Sequence, residues 1–292
     1  MYYPMFLWKL YKFIVHLITG IGEIERYCHT YDISGQQRRE MIELSIMNSS
    51  KLDRVRTALK GEFDAEQVAL MIVEDKQINQ ELIAFESTIL PNLVAALEPL
   101  SQLQTLKVQI ALLRDEAYTH DKLAHEAKLD ELWESLKPDV RRTARHTSEW
   151  GEIGFQGKDP ATDFRGMGIL GLDNLLYFAT HHIDAAQATL LDANTRCKYP
   201  FAITGINLTS VLVNLLMNEQ CHLKQHFLYS GPTVQQFHEL YVKAFIQFNT
   251  FYQAKKPVNI MQFGPIMKEF VEQLTAKVKR PIDPSTKKYS LE

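Results

Sequence analysis

Apolar residues recur at intervals of three and four along almost the whole chain, the spacing that lines one face of a helix. Alternating runs of β-branched residues are short, and no hairpin dipeptide separates two of them. The pattern predicts an all-α fold. Within residues 36–60 the inward positions fall on Met41, Leu44, Ile46, Leu52, Val55 and Leu59, with a break at Asn48, Ser49 and Ser50, and Asp64 opens the next helix. Residues 79–118 carry long apolar-periodic runs in which Pro91 and Pro99 predict helix boundaries. Segments 121–136, 201–217, 233–252 and 258–278 also read as helices. Phe237, Leu240, Tyr241, Phe245, Phe248 and Phe251 make 233–252 an aromatic core element. Residues 279–292, with Pro281, Pro284, Lys287 and Lys288, read as a disordered tail. No composition shift marks an internal boundary, so residues 23–278 are expected to form a single domain.

Residues 1–22 form a separate amphipathic helix in this reading. Phe6, Leu7, Trp8, Leu10, Phe13, Ile14, Leu17 and Ile18 cover most of its surface, and Lys9, Lys12 and His16 at i, i+3 and i+7 share one stripe. No acidic residue precedes Glu23. Each lysine costs about 2.5 to 3.5 kcal/mol at a bilayer centre, which argues against a transmembrane span. A signal peptide would need a basic leading region and a small-residue cleavage site, and neither is present. Three readings stay open: a helix lying in a membrane interface through residues 2–21, a helix packed into the core, and, least favoured, a signal peptide or anchor.

Residues 150–178 break the helical pattern. Gly151, Gly154, Gly157, Gly166, Gly168 and Gly171 are six of the chain's 13 glycines. Each costs roughly 1 kcal/mol inside a helix, so the cluster implies positive φ, tight packing or the near approach of another backbone. The first half reads as an ordered loop anchored by Trp150, Ile153 and Phe155 and turned by Gly154, Gly157 and Asp159-Pro160. From residue 164 onward Met167, Ile169, Leu170, Leu172, Leu175, Leu176 and Phe178 form a helical stripe, with Thr162 or Asp159 as its cap. Arg165 lies at that junction, where the helix dipole disfavours a cation and Asp163 or Asp159 offers compensation. It is either half of a structural ion pair or a group presented to a partner. Gly166-x-Gly168-x-x-Gly171 matches the dinucleotide fingerprint letter for letter, but no strand precedes it, which excludes that reading.

Composition removes other function classes. A net charge of −3 gives no basic field for nucleic acid. Three cysteines, Cys28, Cys197 and Cys221, are widely spaced and odd in number, which suits free thiols in a reducing compartment and excludes a four-cysteine zinc module. Cys221-His222-x3-His226 puts two imidazoles on one helical face without a third ligand, and the adjacent His181 and His182 point apart. No metal site is expected. The basic run Arg141, Arg142 and Arg145 reads as a solvated face, or as one that meets an acidic surface or lipid phosphates.

The run Trp150-x3-Gly154-Phe155-Gln156-x3-Pro160-x-Thr162-Asp163-Phe164-Arg165-Gly166-x-Gly168-x3-Leu172-x2-Leu175-x2-Phe178 resembles the central motif of the ELMO domain in the small ELMO domain-containing proteins. Phe201-Ala202-Ile203-x-Gly205-Ile206-Asn207-Leu208-Thr209 is similar to a second, shorter motif of that family. The resemblance implies a multi-helix ELMO domain that activates GTP hydrolysis by Arf-family and Arf-like GTPases, with Arg165 as the catalytic finger. It also implies that Trp150, Phe155, Gln156, Thr162, Asp163, Gly166, Gly168 and Asn207 bind the GTPase or orient the loop, Trp150 and Phe155 as its anchors and Gln156 and Asp163 as its orienting groups. Asn207 is either a buried hydrogen-bonding residue or a group that orients the loop. GTP and magnesium would belong to the partner, and this chain would need no cofactor and turn over no substrate of its own. Zinc fingers serve better-known Arf activators, so this chain would work without one.

A guanidinium inserted in trans neutralises charge that builds between the β and γ phosphates, and such a finger is worth about 10³ to 10⁵ in rate. The rival expectation is a non-catalytic interaction module, like the larger ELMO proteins that scaffold exchange factors in engulfment and cytoskeletal signalling. The expected location is cytoplasmic, peripheral on an internal membrane such as the endoplasmic reticulum, lipid droplet or mitochondrion, with vesicle traffic as the setting.

Overall fold

The computed structural model describes residues 5–78, 88–218, 220 and 223–278. The predicted tail, and Cys221 and His222 of the histidine pattern, lie outside the described residues. Among the described residues every regular element is helical and no strand occurs. The chain divides into two compact units, Met1–Thr105 and Leu106–Glu292.

The first unit contains α1 (Met5–Thr19), α2 (Glu23–His29), α3 (Gly35–Asn48), α4 (Asp53–Ala58), α5 (Ala65–Asp75) and the start of α6 (Ile89–Asp115). Local chemistry sets several of these limits. Ser34 Oγ accepts from Gln37 N at 3.2 Å while Gln37 Oε1 accepts from Ser34 N at 3.0 Å, a reciprocal cap on α3. Asp64 Oδ1 caps α5 by accepting from Gln67 N at 2.8 Å. Arg38 ties three segments together: Nε donates to Tyr27 O, Nη2 to Thr30 O and Nη1 to Asn92 Oδ1, and Asn92 Nδ2 in turn reaches Cys28 O at 2.7 Å. Cys28 is buried, unpaired with another cysteine, and pushed up to about 12 by burial, so it rests as a thiol.

Two expectations from the apolar pattern are corrected here. Leu44 is exposed, and the buried face of α3 runs through Arg39, Ile42, Ser45 and Ile46 instead. Ser45 is tolerated there because its hydroxyl donates to Glu23 Oε2 at 2.6 Å. Pro91 lies at the start of α6, where the pattern expects a boundary, but Pro99 does not end a helix, since α6 runs on through it. Pro91 occupies the first turn, where its missing N–H has no partner to lose. Pro99 costs about 3 kcal/mol in an interior. Burial of Leu93, Leu97, Leu100, Leu103, Leu106 and Ile110 along the same helix offsets that cost.

The second unit contains the end of α6, then α7 (Leu123–Leu136), α8 (Gly168–His181), α9 (Ile183–Asp192), α10 (Phe201–Met217), α11 (Lys224–Ser230), α12 (Val234–Lys255) and α13 (Phe263–Val278). Its centre is the packing of α8, α10 and α12. Gly205 permits that approach: a Cβ there would stand 2.4 Å from the Tyr241 hydroxyl and 2.6 Å from Leu175 Cδ2. The Tyr241 hydroxyl is buried with no hydrogen-bond partner among the described residues. Removing an unsatisfied buried hydroxyl recovers its desolvation cost of about 1 to 3 kcal/mol. Tyr241→Phe is therefore expected to raise the urea midpoint, and a lowered midpoint would show that the hydroxyl is satisfied in solution.

Asn174, fully buried in α8, joins the three helices. Its Nδ2 donates to Thr209 Oγ1 on α10 at 2.9 Å, and its Oδ1 accepts from His238 Nδ1 on α12 at 2.7 Å. Burial pushes His238 down to about 4, with Asp173 and Glu239 opposing and His181 and Lys128 assisting. Between pH 6.5 and about 4 the unfolded chain thus binds the proton that the folded chain refuses. Stability is expected to fall on acidification through that window, by at most about 1.36 kcal/mol per pH unit from this group. Urea unfolding of the native protein and of His238→Asn across the window checks this, the variant having the shallower slope.

Candidate functional site

The site begins with a cap. Asp159 Oδ1 accepts from Ala161 N at 3.0 Å, Pro160 supplies a pre-set φ, and Pro160–Gly166 winds into a 3-10 turn. The expected cap on α8 is thereby relocated: Asp159 caps this turn, and α8 starts after Met167 with no side-chain cap. Its first free amide is served from elsewhere, Ile169 N donating to Glu116 O at 2.9 Å.

Gly154 and Gly168 carry the backbone reasons for the glycine cluster. Gly154 has φ +86°, and a Cβ there would lie 2.2 Å from Phe201 N. Its carbonyl accepts from Ile203 N at 3.2 Å. The two sequence motifs, 150–178 and 201–209, therefore meet at this glycine. Gly168 has φ +50° and brings α8 against the carbonyls of Arg114 and Glu116.

Beneath the turn runs a chain of aromatic contacts. Trp133 meets Trp150 at 5.6 Å between ring centroids, Trp150 meets Phe155 at 5.9 Å, Phe155 meets Phe164 at 5.5 Å, and Phe164 stacks on Tyr118 at 5.4 Å. Trp150, Phe155 and Phe164 are buried, so the first two hold the loop from below and offer no surface to a partner. Trp150 Nε1 donates to Arg145 O at 2.8 Å.

The basic run is not a solvated face throughout. Arg142 lies over the Trp150 ring at 4.0 Å and pairs with Asp130. Arg145 bonds Glu126 Oε2 at 2.5 Å and lies 3.2 Å from Asp159 Oδ1, while His120 Nε2 lies 3.4 Å from Asp159 Oδ2. Burial works against ionised Glu126, but hydrogen bonds from Arg145, Tyr118 and His120 hold its carboxyl down at about 2. These residues lock the start of the turn, and sequence reasoning missed Glu126, His120 and Tyr118. Arg141 alone of the run stays exposed.

Arg165 sits in the last part of the turn and is exposed. Its Nε donates to Thr162 O at 2.8 Å, its one hydrogen bond among the described residues. The terminal guanidinium nitrogens remain available for planar, multi-donor bonding. The structural ion pair considered from sequence is absent, because both nearby carboxylates are engaged. Asp159 faces Arg145, and Asp163 Oδ2 accepts from Gln156 N at 2.8 Å. Burial raises Asp163 above the usual carboxylate range, against the pull of the Gln156 amide and the Arg165 charge. Thr162 Oγ1 donates back to Asp159 O at 3.2 Å. Gln156, Thr162, Arg165 and Gly166 all face solvent, and Gly168 is buried.

Asn207 is corrected: it is exposed on α10 and is no buried hydrogen-bonding residue. The signal was present, since Asn207, Ser210 and Asn214 at i, i+3 and i+7 mark a polar stripe. Asn174 does the buried work expected of it. No group of three or more potential metal ligands occurs among the described residues.

Taken together, these contacts define an all-α protein that presents a guanidinium on a turn held rigid by buried aromatics and an ion cluster. A model of the ELMO/CED-12 family matches residues 108–267. ELMO domain-containing protein B of Dictyostelium discoideum is 52% identical over 93% of this chain and 95% of its own length. Human ELMO domain-containing protein 1 is 33% identical over 96% of this chain and 91% of its own length, and human ELMO domain-containing protein 2 is 34% identical over 90% and 89%. No solved structure matches the chain. The chain belongs to the ELMO/CED-12 family, and the matched region lies within the unit that carries Arg165.

Proposed function

We propose that this protein activates GTP hydrolysis by an Arf-family or Arf-like GTPase, with Arg165 inserted as the trans finger. The observation that carries the reading is the state of Arg165: exposed, anchored through Nε alone, and flanked by carboxylates already committed to Arg145 and to the Gln156 amide. A finger of this kind must carry its charge into the partner's nucleotide site, and an internal ion pair would have to be broken first. GTP and magnesium come with the partner. Gln156, Thr162 and Gly166 border the finger, and Trp150, Phe155 and Asp163 fix its loop.

The test is single-turnover GTP hydrolysis by a panel of purified Arf and Arf-like GTPases, with binding measured on the same pairs. Acceleration of one panel member identifies the substrate class. Binding without acceleration across the panel would move the assignment to a non-catalytic interaction module.

A further inference from the structure

We propose that α1 is an interfacial helix that lies flat against an anionic lipid surface. Leu7, Leu10, Phe13, Ile14, Leu17 and Ile18 are all exposed, Leu17 at 74% and Ile18 at 77%. Packing into the core, a second reading open from sequence, is not what these side chains do. A run of large apolar side chains left in solvent along one 15-residue helix marks a contact surface. A cavity of about 720 Å³ at the foot of α1 is lined by Phe13, His16, Ile21, Ile24, Arg26 and Ile78.

Charge and length decide the occupant. The segment before Glu23 has no acidic residue and carries Lys9, Lys12 and His16 at helical spacing, in a chain whose net charge is −3. A basic stripe beside an apolar face suits an anionic headgroup layer over an acyl region. Trp8 and Tyr11 are the amphipathic aromatics enriched at that depth. Fifteen residues span about 22 Å, short of the roughly 30 Å hydrocarbon layer, so the helix lies on the surface and does not cross it. No single helix among the described residues is long and apolar enough to cross. α10, although apolar, buries Phe201, Leu208 and Leu212 inside its own unit. The inference stands apart from the GTPase reading, since it uses no residue of that site.

The experiment is flotation of the full-length protein with phosphatidylcholine vesicles, with and without phosphatidylserine. The native protein is expected to float with the anionic vesicles and more weakly with the neutral ones. The double variant Leu17→Asp/Ile18→Asp changes only exposed positions, and its binding is expected to fall about tenfold or more. Lys9→Glu/Lys12→Glu keeps the apolar face and is expected to lose the preference for phosphatidylserine. Brominated lipid should quench Trp8, the fluorescence of Trp133 and Trp150 being shielded by burial. Failure of the native protein to float, or equal flotation of the apolar double variant, overturns the proposal. A native dimer in light scattering that Leu17→Asp/Ile18→Asp dissociates, without lipid binding, would instead assign the face to a second copy.

Discussion

Arg165→Lys is expected to bind the responsive GTPase as the native protein does and to lose about 10³ to 10⁵ of the acceleration. That loss corresponds to roughly 4 to 7 kcal/mol of transition-state stabilisation. Lysine keeps the positive charge, so the comparison isolates the planar fork, which bonds more than one oxygen at once where an ammonium offers a point charge. The fold should be indifferent to the change. Arg165 is exposed and makes a single bond to Thr162 O, so the unfolding free energies of the two proteins should agree within about ±0.5 kcal/mol, the usual range for surface substitutions. A reduced midpoint with lost activity would place Arg165 in the structure and not in the chemistry. Equal rates from both proteins would remove the finger outright.

The parts of this site legible in the sequence were those with a local signature. Trp150 and Phe155 stood out as apolar anchors in a turn-rich stretch, and both are buried beneath the loop. Asp163 and Gln156 lie seven residues apart and do bond, backbone amide to carboxylate. Partners brought together by folding left no such trace. Glu126 lies on α7 and Arg145, 19 residues on, lies in the irregular segment after it, and nothing in either local pattern announces that they close on each other and on Asp159. A run of arginines looks solvated until its carboxylates are placed.

Errors of phase and of punctuation have separate causes. Asn207 and Asn174 are both asparagines among apolar helical residues, and which one faces inward depends on where the neighbouring helices sit. α8 is flanked by α7, α10 and α12, so Asn174 is enclosed, and it is satisfied by Thr209 and His238. Local propensity makes Pro99 a break, and tertiary burial along α6 overrides it. Helix existence followed from periodicity alone. Its limits depended on what each segment packs against.

Gly168→Ala is expected to destabilise the second unit by about 2.5 to 6.5 kcal/mol, enough to unfold a marginal domain. Three costs add. An alanine at φ +50° sits in the left-handed region at about 1 to 2 kcal/mol. Its Cβ would stand 2.3 Å from Arg114 O and 2.4 Å from Glu116 O, and because both are backbone atoms no side chain can swing away, so the helix start must move at about 1 to 3 kcal/mol. Such a shift stretches the Ile169 N to Glu116 O bond, worth about 0.5 to 1.5 kcal/mol net. Gly166, two residues earlier, is the internal control. A Cβ there meets nothing within 4 Å and φ is not positive, so Gly166→Ala should change stability by less than about 0.5 kcal/mol. Urea unfolding of the three proteins separates the outcomes. A mild Gly168→Ala would mean that α8 does not rest on the end of α6 as described, and the turn that carries Arg165 would then lack its fixed base.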